Sequence, residues 1–270
     1  MASPSSAAMG AARGTGAIMP LSPTVQSREP FDGEDDAVLP VIDRWFGSWR
    51  ISLHRRAYSP AELTETYDNH AARWDRITGA FGVDTAYANA LRKVQRRGDL
   101  SLCTQNEYIL DCGAGDGAFA AAVAQTMPAQ IIAVDLSPQM LACAEQRLTR
   151  LNVDAQYRLA DARCLPFPDD SFDLVVTAHM LEHLPRPEQA LREISRVLKP
   201  GGSVIASITR PSFIGRLIQL TWRTHALARC EGEQLLRDQG FEAVWSLPST
   251  GNRIFDCFSV IYAARKPTVS

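Results

Sequence analysis

No stretch of the 270-residue sequence approaches the roughly 18–20 consecutive apolar residues that cross a bilayer. Neither sign of charge dominates: Lys plus Arg number 28 against 30 Asp plus Glu, a net charge of -2. A chain built to grip phosphate backbones is usually basic, so nucleic acid is not an expected partner. The cysteines, Cys103, Cys112, Cys143, Cys164, Cys230 and Cys257, form no CxxC pair and stand at no zinc-finger spacing with a histidine. They read as free thiols, mostly buried, in a reducing compartment, and the expected location is the cytoplasm. A compact apolar signal run is also missing from the first residues, which are rich in Ala, Ser, Gly and Pro. Residues 1–35 therefore read as a disordered leader, with a transit peptide as the alternative, since Arg13 and Arg28 are present and no acid precedes Glu29.

What is present is ordinary globular material, 46% hydrophobic and 21% charged, long enough for one large domain with appendages. Val38, Val41, Ile42, Trp45, Phe46 and Trp49 recur at helical spacing and predict a first helix, flanked by Arg44, Arg50, Arg55 and Arg56. Ser59-Pro60 starts a second helix through Tyr67 toward Trp74, and a third covers about 84–96 and stops at Gly98. Residues 36–104 thus read as an N-terminal helical lid and substrate region. From about 105 to 267 short apolar runs alternate with helical ones, the pattern of an α/β fold with a mostly parallel sheet. The expected strands are Tyr108–Cys112, Gln130–Asp135, Ala155–Leu159, Phe172–Ala178, Gly202–Ile208, Glu242–Ser246 and Phe255–Ala263. Helices are expected near 117–126, 138–151, 187–198 and 230–239, and 209–229 reads as an insertion over a site.

Three strand ends carry acids. The run Ile109-Leu110-Asp111-Cys112-Gly113-Ala114-Gly115-Asp116-Gly117 is an apolar strand, a loop with glycine at every second position, then a helix start. Glycine lets the backbone approach a ligand closely. The spacing differs from the dinucleotide GxGxxG fingerprint, and no Lys follows to make a P-loop. Asp111 and Asp116 would repel a pyrophosphate and suit a cationic ligand carrying an ammonium group. Asp135 ends the second strand, where a carboxylate accepts both hydroxyls of a ribose. Leu136 and Met140 follow and can pack on an adenine face. Asp161 after the third strand can accept from an adenine amine, with the Ala162 N–H serving the ring nitrogen.

In this order these pieces resemble the class I S-adenosylmethionine-dependent methyltransferases. The stretches Asp161–Val176 (DARCLPFPDDSFDLVV) and Leu191–Gly202 (LREISRVLKPGG) are similar to the ubiquinone/menaquinone-biosynthesis (methyltransferase type 11) subgroup. So is Tyr67–Asp75 (YDNHAARWD), where Trp74 stands in place of a second Tyr. The resemblance implies a Rossmann-like seven-stranded sheet, helices on both faces and an antiparallel last strand. It implies S-adenosyl-L-methionine as cofactor and S-adenosyl-L-homocysteine as product. Asp111 and the Gly113-Ala114-Gly115 loop with Gly117 would hold the methionine part, Asp135 the ribose, Asp161 and Ala162 the adenine, and Tyr67 would close over them. The stretch Thr177–Leu184 would face the methyl group, with His179 the first candidate base and His183 the second. Some quinone methyltransferases hold a metal on an acid pair here. Glu182 is present, but Ala178 or His179 occupies its partner position, so no metal is expected.

The acceptor is expected to be a small, largely apolar or aromatic molecule enclosed by the two lids, touching Trp45, Trp49, Tyr58, His70, Arg216 and Trp222. An alternative is a membrane-surface enzyme acting on a prenylquinone or phospholipid head group, with the Trp45/Trp49 segment as a peripheral contact. A second alternative is a non-catalytic partner that keeps the cofactor site. Monomer and homodimer both suit the sequence.

Overall fold

The computed structural model describes residues 38–98, Leu100, 107–224 and 226–268; the leader, Cys103 and the side chain of Trp74 lie outside the described residues. Its first segment departs from the expected helix. Val38–Phe46 (β1) and Trp49–Arg56 (β2) form an antiparallel hairpin in which Phe46 pairs with Trp49. Gly47, at φ 62°, and Ser48 make the turn. A glycine-serine step between aromatic and β-branched residues is a hairpin signal, and it overrides a helical spacing of aromatics. The helical part of the N-terminal region is α1 (Pro60–Ala80) and α2 (Val83–Arg97).

The strands β3 (Glu107–Cys112), β4 (Ala129–Asp135), β5 (Ala155–Leu159), β6 (Phe172–Ala178), β7 (Leu198–Thr209), β8 (Glu242–Ser246) and β9 (Ser259–Arg265) form one sheet in the order β5-β4-β3-β6-β7-β9-β8. β3 to β7 run parallel, and β9 lies antiparallel between β7 and β8. The last strand begins later than its apolar run. Residues 253–258 are a short helix, α8, because the Asn252 side chain caps the N–H groups of Ile254 and Phe255 at 3.0 and 3.1 Å.

Helices cover both faces. On one, α2 and α3 (Ala118–Thr126) pack a core in which Tyr87 stacks on Phe119 at 4.3 Å. On the other, Leu191 and Ile194 of α5 (Pro187–Val197) and Leu236 of α7 (Arg229–Asp238) meet Leu110, Val175 and Tyr262. Each large side chain so buried contributes about 1.5–3 kcal/mol. Cys112 is buried, but Cys230 and Cys257 are exposed, against the expectation of mostly buried thiols. The strand order reverses between β3 and β6, and a crevice opens at their carboxyl ends.

Candidate active site

β3 runs into the glycine loop, whose Gly113 and Ala114 N–H groups both donate to the Val134 carbonyl at 2.9 Å. Gly113 has φ 73°, and a Cβ there would lie 2.7 Å from Met180. No other residue fits that position without displacing the segment after β6. Gly115, at φ 53°, would meet nothing with a Cβ, and it borders the crevice. Its N–H donates to Asp135 at 2.8 Å, and Ser137 N–H donates to the other carboxylate oxygen at 2.9 Å. Burial raises the Asp135 pKa, although those backbone donors pull against it.

The acid inside the loop has a different task from the one its sequence suggests. Arg147, on α4 (Pro138–Arg150), reaches Asp116 with one nitrogen at 2.8 Å and Asp84 of α2 with another at 2.7 Å. The Asp116 charge is therefore offset by protein. Asp161 is likewise held, by a forked contact from Arg163 at 2.7–3.1 Å.

Beyond β6, Met180 leads into a short 3-10 turn, Leu181–His183. His179 adopts φ 55°, a left-handed conformation costly for a residue with a side chain. Its Nδ1 lies 3.3 Å from Glu182 and 3.2 Å from the Thr209 hydroxyl, and its Nε2 lies 3.3 Å from Ser207. Glu182 is 1% exposed and accepts from the Thr209 N–H at 2.6 Å and from its hydroxyl at 2.5 Å. Burial would push Glu182 up, but the charges of His179 and His183 and the hydrogen bonds of His179 and Thr209 together hold it below its usual value. Glu182 therefore stays ionised beside His179. Tyr67 Oη and His183 Nε2 share a 2.7 Å hydrogen bond. Burial, then the Asp135 and Glu182 charges, push the Tyr67 pKa upward, so the phenol keeps its proton. Trp222 of α6 (Phe213–Trp222) stacks on Tyr67 at 5.6 Å and meets His70 edge-on at 5.2 Å.

These elements enclose a cavity of about 440 Å³. The glycine loop, Asp135 and Asp161 border it, as do His179 and His183, and its apolar wall includes Phe81, Val83, Ile214, Ile218, Ile254 and Phe258.

Residues 110–206 match a family model described as methyltransferase domain. Over these residues the chain is similar to a methyltransferase domain. It is 35% identical over 143 residues to demethylmenaquinone methyltransferase of Lactiplantibacillus plantarum, covering 52% of this chain and 59% of that protein. The same identity extends over 150 residues of the Chlamydia trachomatis demethylmenaquinone methyltransferase, covering 54% of this chain and 61% of that one. The chain thus spans about three fifths of the length of these curated relatives. Among solved structures, Haemonchus contortus phosphoethanolamine N-methyltransferase 2 in complex with S-adenosyl-L-methionine superposes with a TM-score of 0.55 at 19% identity, over 81% of this chain and 62% of that one. That likeness is one of fold.

Of the expected site residues, Tyr67, Gly113, Ala114, Gly115, Asp135, Leu136, Asp161, Ala162, His179, His183 and Trp222 line this cavity. Asp111, Met140 and Thr177 are at most 1% exposed and lie behind its lining. Gly117 is the N-cap of α3. Tyr58 lies under the Arg223 guanidinium at 4.4 Å, and Arg216 is on the outer side of α6. Trp45 and Trp49 stand exposed on the hairpin, outside the cavity lining. The expectation missed Glu182 as the partner of His179, although its spacing of three residues signals that contact across a tight turn. It also missed Thr209, Arg147 and Arg163.

Asp111 makes a testable electrostatic case. Its Oδ2 accepts from Ala120 N–H at 2.9 Å, while Oδ1 has no partner among the described residues. Burial, with Asp135 and Asp116 adding to it, pushes the carboxyl up to about 7 from 3.8. Between those values the folded protein holds a proton that the unfolded chain has released. Stability from this group therefore falls as pH rises from about 4 to 7, by roughly 4 kcal/mol at most. Urea denaturation at pH 5 and pH 7.5 should show a smaller drop in Asp111→Asn than in the parent; equal drops would mean the carboxyl is not held protonated.

Proposed function

We propose that the chain binds S-adenosyl-L-methionine along the carboxyl ends of β3, β4 and β5 and methylates a small, largely apolar or aromatic acceptor in the same cavity. The single observation that carries this is that one cavity is lined by the acids and the glycine loop, by apolar side chains and by two histidines. The residues fit the donor. Asp135, oriented by two backbone N–H groups, keeps lone pairs for the ribose hydroxyls. Asp161, fixed by Arg163, can accept from the adenine amine, and the open space beside Gly115 admits the amino-acid part. When bound, the donor supplies a sulfonium-activated methyl group for in-line displacement.

The protein's own contribution is positioning and dryness. Tyr67, bonded to His183 and stacked on Trp222, seals the α1 side. His179, oriented by ionised Glu182, takes a proton from an acceptor that must lose one. A second reading, a prenylquinone acceptor, is favoured by the names of the curated relatives and by the apolar wall. Labelled methyl from S-adenosyl-L-methionine, incubated with protein and host cell extract, should enter one organic-extractable product identified by mass. A compact product supports the first reading and a prenylated one the second. Donor binding without any labelled product would leave only the non-catalytic partner.

A further inference from the structure

We propose that the β1–β2 hairpin and the outer side of α6 form one docking surface for an anionic bilayer. The helix is apolar on two sides. Ile214, Ile218 and Trp222 line the cavity, while Phe213, Leu217 and Leu220 are exposed at 79%, 51% and 53%. The hairpin continues that surface. Trp49, Ile51 and Leu53 alternate along β2 and so share one face, all more than half exposed; Trp45, paired with Arg50, stands on the other face near the turn. Arg55, next on that face, donates to the Leu220 carbonyl at 2.6 Å and ties hairpin to helix. A two-stranded ribbon exposed in this way is marginal in water.

Charge selects the occupant. Residues 38–58 and 210–223 hold seven arginines and one acid, Asp43, in a chain whose net charge is -2. Arg56 is paired with Glu62 and Arg50 lies over the Trp45 ring at 5.9 Å on the other face of the ribbon, whereas Arg216 is exposed beside Phe213 and Leu217. Indoles and guanidiniums alternating with aliphatic side chains suit the boundary between acyl chains and acidic head groups, where the cation stays hydrated and the ring is buried. A protein–protein partner of comparable apolar area would not require this concentration of positive charge. Docked this way, the inner side of α6 would hold the cavity wall against the lipid, a short route for an acceptor dissolved there.

The surface stands apart from the methyl-transfer reading, because its assay contains no methyl donor. The full chain is mixed with vesicles of phosphatidylcholine or of phosphatidylcholine with phosphatidylglycerol. It should pellet with the anionic vesicles, with a blue shift of tryptophan emission, and release at high salt. Joint replacement Trp49→Ser, Ile51→Ser, Phe213→Ser and Leu217→Ser should lower partitioning by at least about tenfold with an unchanged melting profile. Should that variant lose its melting transition, Arg216→Gln replaces it and should reduce the preference for anionic vesicles severalfold. Equal pelleting of parent and variants would overturn the proposal. So would a dimer in light scattering that the same replacements dissolve, which assigns the patch to a second copy.

Discussion

Replacing Arg147 by Met lowers the free energy of unfolding by about 3–5 kcal/mol, the cost of leaving a buried carboxylate without its counterion. The side chains of Arg147 and Asp116 are 8% and 4% exposed, so water does little to screen the stranded charge. The loss should be seen as a lower urea midpoint with an unchanged slope. Adding Asp116→Asn to Arg147→Met should recover part of it, because the orphaned charge is then gone; a purely additive double mutant would deny the coupling. The cost is large because a single guanidinium serves three elements: α4, which carries it, α2 through Asp84, and the glycine loop through Asp116.

Replacing His179 by Gln lowers kcat by roughly 10²–10⁴-fold and leaves the Kd for S-adenosyl-L-methionine unchanged. Glutamine keeps a hydrogen-bonding group near Glu182 and Thr209 but takes up no proton at neutral pH. Glu182→Gln should act through the same imidazole, since the carboxylate that orients it would be gone. Both rates would be measured with the acceptor found in cell extract. An undiminished kcat in the His179 variant would mean that the acceptor, a tertiary amine or thioether for example, surrenders no proton, and the base assignment would fall.

Much of this arrangement was legible beforehand because its signals are local. An apolar run ending in an acid puts Asp135 at the tip of β4 whatever surrounds it, and alternating glycines after β3 leave the backbone few options. The sheet follows from strands of that kind alternating with helices. What was not legible depends on distance or on competing periods. The contact from Arg147 to Asp84 spans 63 residues, and that from Glu182 to Thr209 spans 27, so no spacing announces either. Trp45, Phe46 and Trp49 satisfy a helical period and a hairpin equally, and only the Gly47-Ser48 step decides between them. The apolar run from Phe255 reads as strand throughout until Asn252 is recognised as a cap.

The stacking of Tyr87 on Phe119 bears on what counts as a unit in this chain. The family-matched stretch begins at residue 110, but α2 ends at Arg97 and fills the same core as α3. Ala86, Ala90, Leu91 and Val94 are fully buried there. Cutting the chain at the edge of the family-matched stretch would lay that core open to water. A fragment that begins at residue 110 should therefore lack the melting transition of the full chain. Helix α2, whose sequence carries none of the shared motifs, is part of that core's foundation.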